Sequence, residues 1–171
     1  MSDTLSMYQA TVPVSQRALR NLRQLLVKGE SHAQAQGYDP NVLLQTRLYP
    51  DMFPLLRQVQ IATDGAKNAA ARLTGVEALR FEDDETTFAQ LYDRLDRAIE
   101  YLGTFTPDQF AGSEARPISV PRRNKEPLSF DGRTYLLSFV TPNLYFHVAT
   151  AYAIMRHAGV PLGKAAYLGG S

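Results

Sequence analysis

The chain has 171 residues, of which 44% are hydrophobic and 20% are charged, and its formal net charge is +1. This length fits one domain with a substantial core, and the composition excludes a disordered chain. The charge balance gives no electrostatic reason to bind nucleic acid or an anionic membrane. Because the sequence has no cysteine, disulfides, thiolate metal sites and a cysteine nucleophile are excluded.

The sequence pattern predicts neither a signal peptide nor a membrane span. The first twelve residues lack a basic segment followed by an apolar one, so no signal peptide is predicted. Nowhere do about 18 uncharged apolar residues run together, which argues against a membrane span. We therefore expect a cytoplasmic protein that forms one domain over residues 1–171, without a nucleic-acid or membrane partner.

The first of four predicted long helices carries apolar residues at steps of four and three over residues 8–26. This spacing is typical of a helix that buries one seam against other helices. Pro13 lies within the early turns and is expected to kink or restart the helix. Gly37 marks the exit, and the following residues 41–49 predict a connection with a short helical turn.

The second helix is predicted to begin near Asp51, which is a possible N-cap, with Pro54 in the first turn. It is expected to end at Thr74 and Gly75. Small residues in its inward stripe allow close approach of another helix, or leave room for a ligand. That stripe is Leu55, Val59, Ala62, Ala66, Ala69 and Leu73.

The third helix is predicted to follow the acidic run 82–85, with Thr86 or Thr87 as its cap and Gly103 as its stop. Residues 116–120 and 127–130 then flank a polar turn, which is typical of a β-hairpin. Its prolines keep the hairpin short and at an edge. The periodicity as a whole predicts an all-α bundle with this hairpin between the third and fourth helices.

The fourth helix is predicted over residues 133–157, with Asp131 as its cap and Gly159 as its end. Pro142 is expected to kink it near the middle. Its face is mostly apolar, but Asn143, His147 and Thr150 form a polar band at helical spacing. Buried polar groups need partners. His147 is therefore either hydrogen-bonded within the core or in contact with a ligand, and both alternatives stay open.

The remaining histidines do not complete a metal site. Two ligands at i and i+4 are usual on a helix, whereas Ala151 follows His147 by four residues. His157 lies about 15 Å further along the same helix, at its end, and His32 is expected at the surface. A site that joins His147 to Asp64 or Asp51 stays open, although nothing in the spacing requires one.

Other motifs carry little chemistry. The sequence has no glycine-rich phosphate loop and no G-x-S-x-G nucleophile elbow. The glycine-rich tail is expected to pack Lys164 and Tyr167 back on the bundle, with a cavity lid as the alternative. Two basic groups are interpreted as solvated surface. They are Arg17, Arg20 and Arg23 in the first helix and Arg122, Arg123 and Lys125 in the hairpin.

Three segments carry a resemblance to a known family: YPDMFPLLRQVQIATDGAKNAAARLTG (49–75), PNLYFHVATAYAIMRHAGVPLG (142–163) and GKAAYLG (163–169). They resemble the bacterial family known as domain of unknown function 1993, in the DinB/YfiT-like superfamily. The resemblance implies an up-up-down-down four-helix bundle, often dimeric. It also implies a divalent metal held by one histidine of the second helix and two of the fourth, and in some members a thiol-dependent transferase or isomerase. Only His147 matches a ligand position.

Three functions follow as hypotheses. The first is a small-molecule site between the second and fourth helices, with no predicted cofactor and no assigned catalytic residue. The second is a divalent-metal transferase with a degenerate metal site, although the ligand spacing does not support a metal. The third is a homodimeric structural or interaction protein. The predicted ligand-binding residues are His147, Asn143, Thr150, Tyr145 and Tyr152.

Overall fold

The computed structural model describes residues 4–170, so the ends of the predicted domain 1–171 lie outside the described residues. The chain is mostly helical, with one two-stranded sheet. The helices are α1 (Met7–Ala35), α2 (Asn41–Leu44), α3 (Leu55–Thr74), α4 (Phe88–Gly103), α5 (Gly132–Thr134), α6 (Thr141–His157) and α7 (Lys164–Leu168). The strands are β1 (Pro117–Arg122) and β2 (Lys125–Asp131).

Helix α1 is continuous through Pro13, so the prediction of a restart there is wrong. Its N-terminus is fixed by a capping box in which Ser6 Oγ accepts from the Gln9 N–H at 3.1 Å. The Gln9 side chain in turn accepts from the Ser6 N–H at 2.9 Å. These two bonds satisfy donors that the first turn otherwise leaves unpaired.

Helix α3 begins later than predicted, because Pro54 rather than Asp51 is the N-cap residue. Pro54 has extended backbone angles, and a proline also disfavours helical geometry in the residue before it. Phe53 therefore stays outside the helix, and Asp51 lies exposed in the preceding turn. The predicted end is confirmed, since Gly75 closes α3 in the left-handed conformation with φ 78°.

Local cap chemistry fixes α4 and the start of the last long helical segment as predicted. Thr87 caps α4 through a capping box with Gln90. Asp131 accepts from the Thr134 N–H at 2.9 Å and caps α5. The predicted hairpin is confirmed as the antiparallel pair β1–β2, which is anchored on the core by the buried Ile118 and Val120.

A π-helical segment, Tyr135–Val140, joins α5 to α6 and ends two residues before Pro142. The Thr141 N–H donates to the carbonyl of Leu136, five residues back, and the Thr141 hydroxyl donates to the same oxygen at 2.9 Å. A proline lacks an N–H and crowds the preceding turn. The π-helical turn is wider than an α-helical one, and the Thr141 hydroxyl supplies an additional donor in it. The helix is therefore irregular near Pro142, where a kink was expected.

The buried apolar residues form one connected cluster drawn from every long helix and from the hairpin. Helix α3 packs mainly against α6 and α4, and α1 packs against α4 and α6. The predicted inward stripe of α3 belongs to this core, with Ala62, Ala66 and Ala69 fully buried. None of the helices within residues 4–170 combines the length and apolar character needed to cross a bilayer.

Candidate functional site between α3 and α6

His147 lies at the contact between α3 and α6 and is 7% exposed. Its Nδ1 lies 2.7 Å from Oε1 of Gln58. The Gln58 amide is itself oriented, because its Nε2 donates to the carbonyl of Phe53 at 3.0 Å. Oε1 must therefore accept, so Nδ1 carries the proton and Nε2 has a free lone pair.

The charge state of the ring agrees with this assignment. Burial lowers the pKa of His147, and the nearby positive charge of Arg57 lowers it further. The imidazole is therefore neutral at pH 7. Within residues 4–170, Nε2 has no hydrogen-bond partner. It can accept a proton or a hydrogen bond.

Asn143 lies one turn before His147 and is half-buried. Its side chain faces Gly65 of α3, where an added Cβ would lie 3.6 Å from Nδ2 of Asn143. No hydrogen bond of the Asn143 carboxamide occurs in the described part of the chain. Thr150 is buried one turn after His147, but its hydroxyl donates to the carbonyl of Phe146 at 2.7 Å.

The two predicted tyrosines lie elsewhere on α6. At about 100° per residue, Tyr145 and Tyr152 project about 160° and 140° away from His147. Tyr145 is 39% exposed. Tyr152 donates to the carbonyl of Leu162 at 3.4 Å and contacts the ring of Tyr167 edge-on. The structure thus brings together Asn143, His147 and Thr150, and it does not bring the tyrosines to them.

The opposite side of α3 carries a buried ionic cluster that the sequence analysis missed. Arg94 of α4 is 1% exposed and donates to the hydroxyl of Thr63 and the carbonyl of Gln60. Its guanidinium also lies 2.8–3.1 Å from three carboxylates. These carboxylates belong to Asp64, Asp83 and Glu85.

Two further cations complete this cluster. Lys67 lies 3.1 Å from the Asp64 carboxylate, and Arg57 lies 2.7 Å from that of Asp83. Three cations thus meet three carboxylates. Arg94, Lys67 and Glu85 are buried, whereas the side chains of Arg57, Asp64 and Asp83 are 29–38% exposed. The Arg94 guanidinium also stacks on Phe81, 4.3 Å from the ring centre. The cluster holds the connection 75–87 against α3 and α4, because its Asp83 and Glu85 pair with side chains of these helices.

Burial by itself raises the pKa values of Asp83 and Glu85, but their hydrogen-bond donors outweigh it. Arg57 and Arg94 hold the pKa of Asp83 below its ordinary value. Gln60 and Arg94 do the same for the pKa of Glu85. Both carboxyl groups are therefore ionised at neutral pH. Glu85 lies just before the N-terminus of α4 and forms an ion pair with Arg94 of that helix.

The residues present do not fit the metal set that the family resemblance implies. Gln58 rather than a histidine stands beside His147, and Ala151 offers no ligand on the next turn. Asp64, an alternative ligand in the sequence analysis, instead pairs with Lys67 and Arg94. No cluster of three histidine, cysteine or acidic side chains suited to a metal occurs within residues 4–170.

The outlying predicted features lie as follows. His157 is exposed in the last turn of α6, and His32 is half-exposed in the last turn of α1. The tail packs back on the protein, with Tyr167 half-buried against Tyr152. Lys164 and Tyr167 line a small cleft of about 150 Å³ with Ala149 and Tyr152.

Comparison with known proteins identifies the family and the fold of the chain. Residues 7–168 match the family described as Domain of unknown function (DUF1993). A search of curated proteins finds no match. Among solved structures, the crystal structure of a DinB family member protein from Shewanella denitrificans is 42% identical in sequence, with a TM-score of 0.89. The match covers 96% of this chain and 93% of that chain. The chain therefore belongs to the DUF1993 family and has the fold of a DinB family member.

Proposed function

We propose that the protein binds a small organic molecule at the seam between α3 and α6, through Nε2 of His147 and the carboxamide of Asn143. The observation that carries the proposal is the hydrogen bond from Nδ1 of His147 to Gln58 at 2.7 Å. It fixes the tautomer and the ring orientation, and so presents an acceptor in a defined direction. Such preorganisation lowers the entropic cost of binding.

The second support comes from the neighbouring turn. The side chain of Asn143 brings one acceptor and two donors to the same side of α6, and Gly65 opposite carries no side chain. A ligand with a hydroxyl or amide N–H can donate to Nε2 while its other polar group pairs with Asn143. We therefore expect a neutral hydroxyl- or amide-bearing ligand.

The proposal is tested by heteronuclear NMR with a probe set of small alcohols, phenols and carboxamides. The free protein should show His147 as the Nδ1–H tautomer, and binding probes should shift the signals of Asn143 and His147. Gly65→Leu should abolish the shifts by filling the space beside Asn143. His157→Gln, a change in an exposed histidine, is the matched control. The proposal would be contradicted if His147 were the Nε2–H tautomer, or if the probes shifted the signals of His147 and His157 to the same extent.

We also propose a homodimer formed through the outer face of α6, the third function considered above. Residues 134–155 contain no Asp, Glu, Lys or Arg, and Tyr145 and Phe146 are 39% and 58% exposed on this face. Exposed apolar residues that are contiguous on one helix favour a protein interface there. A second copy meets the same surface when two α6 helices pack about a twofold axis.

Light scattering coupled to size exclusion tests the dimer. Phe146→Glu should shift the mass from about twice the chain mass to that of one chain, since it places a charge in the apolar contact. Val76→Glu makes the same change at a residue that is 43% exposed on the connection 75–87 and should leave the dimer intact. A wild-type monomer at high concentration would refute this proposal without touching the ligand site.

The finer topology is also proposed: an up-up-down-down bundle of α1, α3, α4 and the helical segment 132–157. The connections 36–54 and 104–131 support it, because parallel neighbours need a chain segment that returns along the length of the helix. The connection 75–87 is shorter, as expected between antiparallel neighbours. A crystal structure of this protein would test the order directly.

A further inference from the structure

A basic cleft lies between α1 and the C-terminal segment. Its lining does not include His147 or Asn143 of the α3–α6 seam. The cleft has a volume of about 390 Å³, within the range of small-molecule sites. We propose that this cleft binds a small organic anion with a negative group at each end, a bisphosphate or a dicarboxylate. The residues that line it are Arg20, Asn21, Gln24, Leu25, Lys28, Ala166, Gly169 and Gly170.

The first argument is charge. Arg20 and Lys28 both line the cleft, and no acidic residue among positions 4–170 does. Within the described chain neither cation has a carboxylate partner, whereas the neighbouring Arg23 is paired with Asp96 at 2.7 Å. Two unpaired cations beside low-dielectric walls concentrate a local positive potential, although the whole chain is nearly neutral.

The second argument is the register of the polar groups along α1. Arg20, Gln24 and Lys28 follow one another at steps of four, so they form one ridge that spans about 12 Å along the axis. Gln24 places an uncharged amide between the cations, and the buried Leu25 forms an apolar part of the lining. This order suits an elongated ligand with a negative group at each end rather than a single compact ion.

The third argument is that the opposite wall is held in place. Arg17 donates to the carbonyl of Leu168 at 3.2 Å, and Asn21 donates to that of Tyr167 at 3.2 Å. Gly169 has φ 83°, and a Cβ there would lie 2.5 Å from Oδ1 of Asn21. A side chain at this φ would be strained and would displace the side chain of Asn21, so glycine favours this close approach of the tail to α1. The cleft is therefore formed before a ligand arrives.

The test uses pyrophosphate and succinate as probes, at matched ionic strength of about 0.1 M because exposed charges are screened by salt. Binding of either probe should shift the amide NMR signals of residues 20–28 and 166–170. The preferred probe identifies the phosphate or the carboxylate class. The double variant Arg20→Gln/Lys28→Gln should weaken binding by about tenfold or more, since both charge-assisted contacts are lost.

The matched control is Arg123→Gln/Lys125→Gln, which removes the same two charges from the exposed hairpin. Binding that falls equally in both double variants would identify nonspecific electrostatic attraction and overturn the proposal. So would the absence of binding by both probes at millimolar concentration. All four positions are exposed, so circular dichroism should show both variants folded. Neither outcome bears on His147.

Discussion

Replacement of Arg94 by Met gives the sharpest prediction for stability. The substitution removes the guanidinium, which is 1% exposed, and leaves its three carboxylate partners without their shared cation. Removal of one partner of a buried ion pair costs about 3–5 kcal/mol. The hydrogen bonds to Thr63 and Gln60 are lost as well. Because Lys67 and Arg57 remain beside Asp64 and Asp83, we expect a loss within that range rather than above it.

The measurement is urea unfolding followed by far-UV circular dichroism, with linear extrapolation to water. For a chain of this size, a loss of 3–5 kcal/mol lowers Tm by about 6–20 °C. Arg97→Met is the matched control, because Arg97 lies three residues further along α4 and also stacks on Phe81, at 5.0 Å. Its side chain is 50% exposed and pairs with Asp93 at 3.6 Å.

An exposed i,i+4 pair of this kind contributes about 0.3–0.5 kcal/mol. Arg94→Met and Arg97→Met should therefore differ by several kcal/mol in the free energy of unfolding. Equal losses in the two variants would refute the reasoning, because they would mean that burial and convergence of the carboxylates add nothing.

Three further predictions follow from single groups. Asp83 and Glu85 have lowered pKa values in the folded protein. Their contribution to stability is therefore present above the unfolded pKa values of about 4 and is lost as pH falls through the folded pKa values, and urea unfolding at a series of pH values should show the free energy of unfolding drop in that range. Gly132→Ala should destabilise the fold strongly, because the added Cβ would clash with the carbonyl oxygen of Ser113. Gly163→Ala adds a Cβ that meets nothing within 4 Å, so it should be nearly neutral in thermal unfolding. NMR should show His147 titrating with a pKa below 6.5. Its contribution to stability is present above pH 6.5 and should be lost as pH falls through the folded pKa. A titration midpoint above 6.5 would contradict the burial of the ring.

The helix ends and the hairpin were predictable because their causes are local. Thr87 and Asp131 bond to backbone N–H groups three residues away, so the cap and its partner lie in one short stretch of sequence. The start of α3 was predicted wrongly for a local reason too, since the restriction imposed by Pro54 on Phe53 outweighs the capping tendency of Asp51.

The ionic cluster and the partner of His147 were not predictable in the same way. Gln58 is 89 positions from His147 in sequence, and Arg94 reaches Gln60 and Thr63 from another helix. One signal was available: Arg94 falls beside Leu91 and Leu95 on the buried face of α4. An arginine on an apolar stripe requires a buried counter-charge, and the acidic run 82–85 supplies part of it.

The two sides of α3 differ in how completely their polar groups are paired, and this difference argues for a ligand at the α6 side. Toward α4, Gln60 and Thr63 both have protein partners around Arg94. Toward α6, only one nitrogen of His147 is paired, and the Asn143 carboxamide has no partner within residues 4–170. Neither group is fully buried, since the fully buried unpaired side-chain atoms within residues 4–170 belong to Ser113 and Arg116, so both groups stay open to water and to a ligand. A small molecule that satisfies both groups would therefore stabilise the folded state as it binds.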